Sequence, residues 1–259
     1  MHGFRLYNAP QSTCSQRVRY TLNAKGVAFE EHRLDLFSGD QLKPEYLRLN
    51  PNGVVPTLVH DDRTIIDSAV IMEYVDEIMP DTAPMVPRDP AQRAQMRSMM
   101  RFIDEVPTPA IRVPSYNLAF LPHFQSMSDA EFQALADSKP LRREFLMRMG
   151  RTGFPKPEMD EAEGRLKRGT DRMAAWLEES GGPWLMGADL TLADIAIMPV
   201  IVRMADIRLH VLWDGAPAVA EWLESIRATE PFSATYYAGS LLTDKYPHLR
   251  ALKQAEAVN

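Results

Sequence analysis

Between Gln11 and Ser15 the chain reads Gln-Ser-Thr-Cys-Ser, which puts three hydroxyls and the only cysteine within five residues. The stretch follows a short alternating run, Phe4-Arg5-Leu6-Tyr7, and precedes a helical pattern. It therefore sets its side chains at the start of a helix, where backbone N–H groups lack intrahelical partners and the helix dipole favours negative charge. A hydroxyl placed there can donate a hydrogen bond to a sulfur and favour its thiolate, the reactive form of a thiol whose unperturbed pKa is about 8.5. The plainer alternative is an ordinary cap, since serine and threonine commonly serve that way. Cys14 is itself a potential nucleophile. Its plainer reading is a small buried thiol in the first helical turn.

Two further places carry recognition chemistry. Asp67-Ser68 stands just before an amphipathic pattern of Ile71, Tyr74, Val75 and Ile78, and Ser68 reads by position as its N-cap. A helix start with a hydroxyl can hold a carboxylate. Val55-Pro56 opens an extended run, Thr57-Leu58-Val59-His60. About one X-Pro bond in twenty is cis, and a cis turn here would leave the Val55 N–H and C=O free to pair with an extended peptide. His32, His60, His123, His210 and His248 show no metal-ligand spacing, so no metal is expected.

These residues must be positioned by the elements around them. Residues 1–80 read as β-α-β-α-β-β-α. A strand at Phe4–Tyr7 is followed by a helix ending at Lys25-Gly26, where glycine suits the C′ position, and by an extended stretch through Leu34. The loop Asn50-Pro51-Asn52-Gly53 leads to two strands, Thr57–His60 and Thr64–Ile66, joined by Asp61-Asp62-Arg63. The helix at Ile71 closes the series. Prolines 80, 84, 87 and 90 mark residues 81–90 as a linker. From residue 91 to 259 the pattern is helical: Met96, Met99, Met100 and Ile103, then Leu166, Met173, Trp176 and Leu177, then Trp222, Leu223 and Ile226. The stretch from Phe120 to Pro157 is less regular, with prolines at 122, 140, 155 and 157, and reads as an insertion. Thr191 and Asp194 form a capping-box pair, with Leu190 placed to staple Ile195, a folding device rather than a catalytic one.

Composition narrows the function. The chain of 259 residues is 45% apolar and 25% charged, with a net charge of −6 and scattered basic residues. No basic stripe suggests nucleic acid, and no apolar run is long enough to cross a membrane. One cysteine excludes an internal disulfide, and no secretory pattern stands at the N-terminus. A cytoplasmic location is expected.

The ordered set Val55-Pro56-Thr57-Leu58, Asp67-Ser68 and Leu190-Thr191-Leu192-Ala193-Asp194, with the proline linker between halves, resembles the cytosolic glutathione transferase superfamily. The turn Ser12-Thr13-Cys14-Ser15-x-Arg17-Val18-Arg19 is similar to the zeta class. Gly153-Phe154-Pro155, Met127-Ser128-Asp129 and the insertion resemble instead bacterial glutathione-dependent β-aryl etherases. The resemblance implies an α/β thioredoxin-like first domain that binds glutathione and an all-α second domain that shapes a substrate pocket. It places the thiol-activating hydroxyl at Ser12, with Ser15 and then Thr13 behind it. With the Val55-Pro56 turn cis, the Val55 N–H and C=O would pair with the cysteinyl backbone. Asp67 would meet the γ-glutamyl ammonium, in a family that more often has Glu or Gln there, and Ser68 the γ-glutamyl carboxylate. Gln41 would meet the glycyl end, with Lys43 nearby as an alternative. Ser12 in place of cysteine argues against thiol-linked reduction. Met96, Met99 and Met100 fall on a helix that borders the substrate site in this architecture, although core packing is their usual role. Asp104, Arg112, Tyr116 and Asn117 are further candidates for the pocket wall. The expected co-substrate is glutathione, the expected partner a hydrophobic electrophile, and the expected assembly a homodimer. Three reactions fit: β-aryl ether cleavage, cis–trans isomerisation or reductive dehalogenation. A non-catalytic glutathione-binding or stress-response module is the reading from another class.

Overall fold

Strand β1 (Phe4–Asn8) alternates as its sequence requires, with Phe4, Leu6 and Asn8 buried and Arg5 and Tyr7 on the other face. In the computed structural model, which describes residues 3–254, it lies inside a four-stranded sheet of order β2-β1-β3-β4. Strand β2 (Phe29–Arg33) runs parallel to it, after the crossover helix α1 (Thr13–Ala24). The short helix α2 (Pro44–Leu47) precedes β3 (Thr57–His60), which pairs antiparallel with β1, and β4 (Arg63–Ile66) closes the sheet. Arg63, expected in the turn, pairs with His60, so the hairpin turn is the two residues Asp61-Asp62. Helix α1 stops where expected: Gly26 adopts φ +64° just after Lys25.

Helix α3 (Ser68–Ile78) buries Ile71, Met72 and Val75 against the sheet. The linker that follows is pinned from both sides. Lys25 Nζ sits 2.6 Å from Asp76 Oδ1 and donates to the carbonyls of Met79 and Thr82, while the Met85 N–H donates to Asp76 Oδ1 at 2.9 Å. Helix α4 (Pro90–Glu105) begins at the last linker proline, capped by Asp89, whose carboxylate accepts the Gln92 N–H at 2.9 Å.

The rest of the described chain is helical, as expected: α5 (Pro107–Ala110), α6 (Arg112–Ser115), a π-turn at Tyr116–Phe120, α7 (Leu121–Gln125), α8 (Asp129–Asp137), α9 (Arg143–Met149), α10 (Lys156–Ser180), α11 (Leu192–Asp206), α12 (Pro217–Arg227), α13 (Glu230–Thr235), α14 (Leu242–Lys245) and α15 (Pro247–Gln254). Helix α11 is apolar on almost every face and is correspondingly buried all round. Met96, Met99, Met100 and Ile103 pack into this main core, so the methionines serve packing and do not line a substrate site.

The irregular stretch before Pro157 builds a small core of its own. Phe124, Phe132, Leu146, Met149 and Phe154 bury one another across α7, α8, α9 and the turn before α10, with Phe37 from the sheet domain packed against them. Asn117 fastens this unit. Its amide accepts from the Phe154 N–H at 2.8 Å and donates to the Phe154 carbonyl at 2.9 Å. Asn117 therefore acts structurally and is not part of the pocket wall. Gly153 makes the approach possible: its φ is +89°, and a Cβ there would stand 2.9 Å from Asn117 Oδ1. Gly153→Ala is expected to cost about 2–3 kcal/mol, from backbone strain and the displaced amide. Proteolysis that cuts within 120–157 before the rest of the chain would check it; an unchanged cleavage pattern would refute it.

Candidate active site

The sheet brings the candidate residues to one end. Asn8 closes β1, Thr57 opens β3, and Thr57 faces Ile66 at the end of β4. Val55-Pro56 and Asp67-Ser68 therefore flank each other, beside the loop from Ala9 to Ser12. The Val55–Pro56 peptide is cis. Tyr46 Oη and Asn50 Nδ2 both donate to the preceding carbonyl of Val54, at 2.6 and 2.9 Å, so this turn is braced from behind while Val55 itself lies outside the strand ladders.

The Ala9–Ser12 loop is held by buried polar side chains. Arg19 and Gln16 donate to the Pro10 carbonyl at 2.9 and 3.1 Å, and Arg203 of α11 donates to the Gln11 carbonyl at 2.5 Å. Gln11 reaches the Gly239 carbonyl with its own amide. Ser12 is the N-cap of α1: its Oγ accepts the Ser15 N–H at 3.3 Å. That bond uses a lone pair and leaves the hydroxyl proton available as a donor. The N–H groups of Thr13 and Cys14 open the helix and have no intrahelical carbonyl to bond.

Ser12, Thr13 and Cys14 all line one large cavity between the sheet domain and the helices, together with Gln41 and Val55. Ser15 does not. It is fully buried, and its Oγ accepts the Ala9 N–H at 3.3 Å, so it shapes the loop from behind. Cys14 is half-exposed and lines the cavity, which corrects its reading as a buried thiol. Gln41 is buried rather than solvated. Its Nε2 donates to Leu36 O at 3.2 Å, and its Oε1 has no hydrogen-bond partner among the described residues. Lys43 instead pairs with Asp40 at 2.8 Å, away from the cavity lining.

The start of α3 differs from the expectation in one respect. Asp67, not Ser68, is the N-cap: its Oδ1 accepts the Ala69 and Val70 N–H groups at 2.9 and 3.2 Å, and Ser68 is the buried first helical residue. Asp67 holds φ +72°, a conformation non-glycine residues rarely adopt. Both cap bonds go to Oδ1, so the carboxylate can keep its other oxygen for a ligand.

The far wall comes from the helices. Arg112 and Tyr116 line the cavity, whereas Asp104 does not, being paired with Arg17 at 2.6 Å. Phe37, Phe120, Phe124 and Tyr246 add aromatic surface. Burial raises the Tyr116 phenol above its ordinary value, so it stands as a neutral hydroxyl. Burial also lowers the Lys139 ammonium. Lys139, Arg142 and Lys245 belong to this wall and escaped the sequence reading. They come from the insertion and from α14, where no motif marks them. Among the described residues no group of histidine, cysteine and carboxylate side chains could hold a metal, and no helix is long and apolar enough to cross a membrane.

Two family profiles match the chain: glutathione S-transferase, N-terminal domain, over residues 11–78, and glutathione S-transferase, C-terminal domain, over residues 128–230. Glutathione S-transferase 1 of Dianthus caryophyllus is 30% identical over 198 residues, covering 76% of each chain. Protein LigF of Sphingobium sp. is 28% identical over 231 residues, covering 86% of this chain and 89% of its own. A probable maleylacetoacetate isomerase of Caenorhabditis elegans is 30% identical over 76% of each chain. The crystal structure of beta-etherase LigF superposes with a TM-score of 0.80, covering 90% of this chain and 98% of that one. Fold and sequence thus agree, and the chain belongs to the glutathione S-transferase family, an enzyme with a thioredoxin-like first domain and glutathione as its co-substrate.

Proposed function

We propose that this transferase cleaves β-aryl ethers. Glutathione would lie along the cis turn, its cysteinyl backbone on Val55 next to Pro56, its γ-glutamyl end at Asp67 and Ser68, and its glycyl end at Gln41. The Ser12 hydroxyl and the free N–H groups of Thr13 and Cys14 would hold its sulfur as thiolate. The thiolate attacks the carbon next to a ketone. A C–S bond forms, the C–O bond breaks, and the aryl oxygen leaves as phenolate, to be protonated from solvent. Tyr116 Oη, kept as a neutral donor, is suited to bond the ketone oxygen. Most of the acceleration would come from an ionised nucleophile held against its target.

The observation that carries this reading is the insertion. It forms a separate aromatic core that walls the cavity, and the likeness to LigF extends over nearly the whole of that protein. Incubation with glutathione and 2-(4-nitrophenoxy)acetophenone tests it. Release of 4-nitrophenolate with equimolar thioether is expected. Failure to release it, while a chlorodinitrobenzene is conjugated, would leave a transferase of another specificity.

The Ser12-Thr13-Cys14 turn and the likeness to a probable maleylacetoacetate isomerase favour a second reading, a glutathione-dependent isomerase. It would consume no glutathione, so thiol loss during turnover separates the two. We further infer a cytoplasmic homodimer. Sedimentation velocity at micromolar concentration is expected to give about twice the 29.3 kDa chain mass; a single monomer boundary would refute it.

A further inference from the structure

The cavity has a charge asymmetry that thiol activation does not use. Arg112, Lys139, Arg142, Arg203 and Lys245 all line it, and among the described residues no aspartate or glutamate does. This is a concentration of positive charge in a protein whose net charge is −6. Arg203 is committed to the Gln11 carbonyl and Ser115 Oγ, and Lys139 reaches the Leu36 carbonyl at 3.4 Å. Arg142 spends one nitrogen on its neighbour, the Leu141 carbonyl, at 3.1 Å. Arg112 is half-buried at the start of α6 and, among the described residues, makes neither a hydrogen bond nor an ion pair.

The Arg112 guanidinium lines the cavity with five donors that no described residue uses, which leaves them open to an anion. None of the described residues that line the cavity supplies one. Arg112 and Arg142 lie near enough for the charge of Arg142 to depress Arg112, and Arg112 in turn feels Cys14 and Tyr116. The pair lines the same cavity as Ser12 and Cys14, together with Phe120, Phe124 and Tyr246. Gln41, in the loop after β2, lies at the other end of the proposed glutathione track.

We propose that Arg112 and Arg142 form a carboxylate-binding subsite for the second substrate, so that an electrophile bearing an aromatic carboxylate is preferred over its neutral counterpart. This rests on the transferase reading of the site and narrows its substrate class. A guanidinium pair suits a carboxylate by its bidentate geometry. It also offsets the repulsion that an anionic electrophile would meet from a thiolate. The carboxylate is not the leaving group and takes no part in bond exchange; it fixes which end of the arene faces the sulfur.

The test uses an unreactive matched pair, 3,5-dinitrobenzoate and 1,3-dinitrobenzene, titrated by calorimetry onto the full-length protein with and without saturating glutathione. The benzoate is expected to bind at least about tenfold more tightly, as charge-assisted hydrogen bonds to a half-buried cation provide. Arg112→Met and Arg142→Met should each collapse that preference, and Arg112→Lys should restore part of it. Because Arg112 bonds to nothing in the protein, its removal should leave melting unchanged, so a loss reports on the ligand. Equal or weaker binding of the benzoate would overturn the proposal. So would an Arg112→Met variant that loses glutathione affinity and keeps the benzoate preference, since the pair would then serve the glycyl carboxylate. Loss of a lowered thiol pKa in Arg112→Met with the preference retained would likewise refute it. Absence of any glutathione binding would defeat the transferase reading instead, while the two arenes still report on the subsite.

Discussion

Ser12→Ala is expected to raise the thiol pKa of bound glutathione by about 1–2 units and to lower kcat/KM near neutral pH by about 10- to 100-fold. The proposed Ser12 donor stabilises the thiolate, so its loss favours the protonated thiol. The profile of kcat/KM, which rises with pH as the thiol ionises, then moves to higher pH, and the deficit shrinks above the new pKa. Thiolate absorbance against pH, read by ultraviolet difference, measures it directly. Ser12 also caps α1 through the Ser15 N–H, so the variant should lose about 1 kcal/mol of stability. Ser15→Ala provides the contrast. Its hydroxyl accepts the Ala9 N–H inside the protein, so stability should fall by about 1–2 kcal/mol with the thiol pKa unmoved. A pKa that shifts in Ser15→Ala and not in Ser12→Ala would reverse the assignment.

The second large effect is structural. The Asp194 carboxylate is fully buried and accepts four hydrogen bonds. They come from the Thr191 N–H at 2.9 Å, the Thr191 hydroxyl at 3.0 Å, the Leu185 N–H at 2.9 Å and Trp222 Nε1 at 2.9 Å. It is more than a helix cap, for it ties the loop before α11 and helix α12 to the central helix. Asp194→Ala would leave those four donors without acceptors in the core, a loss of about 3–5 kcal/mol, larger than a cap alone provides. At about 2–4 °C per kcal/mol for a protein near this size, melting should fall by about 6–20 °C. Calorimetric melting checks this, and a drop within that of an ordinary surface substitution would refute it. Burial pushes this carboxyl above its usual range against the pull of its four donors.

The sheet domain was largely legible because each element carries its own local signal. Alternation marks β1, glycine marks the end of α1, and the spacing of Ile71, Tyr74, Val75 and Ile78 marks α3. The Thr191–Asp194 pair was legible for the same reason, being a contact three residues long. What failed to show was decided by distance in space. Position alone made Ser68 the cap, but the backbone turn at Asp67 hands that role to the carboxylate one residue earlier. Ser12 and Ser15 are the same side chain three residues apart, and only the helix phase sends one to the cavity and the other into the loop. Arg142 and Lys139 could not be placed at the site, because a segment of prolines and short helices folds back over it.

Helix α1 carries the proposed catalytic turn at its N-terminus, and besides Val18 and Leu22 it buries polar side chains that reach the helical half. Arg17 donates to Ala196 O, Asp104 and Thr108 at 2.8, 2.6 and 2.9 Å, Arg19 to Thr235 O at 3.1 Å, and Gln16 to Ser240 O at 3.0 Å. All of these acceptors belong to the helical half. The two halves of this chain are therefore poor candidates for recombination. A chimera that joins this sheet domain to another transferase's helices inherits two buried guanidiniums and must also inherit carbonyls and a carboxylate in matching places. New specificity in this lineage is more readily acquired by rebuilding the segment between residues 120 and 157, whose small separate core can change without disturbing that seam.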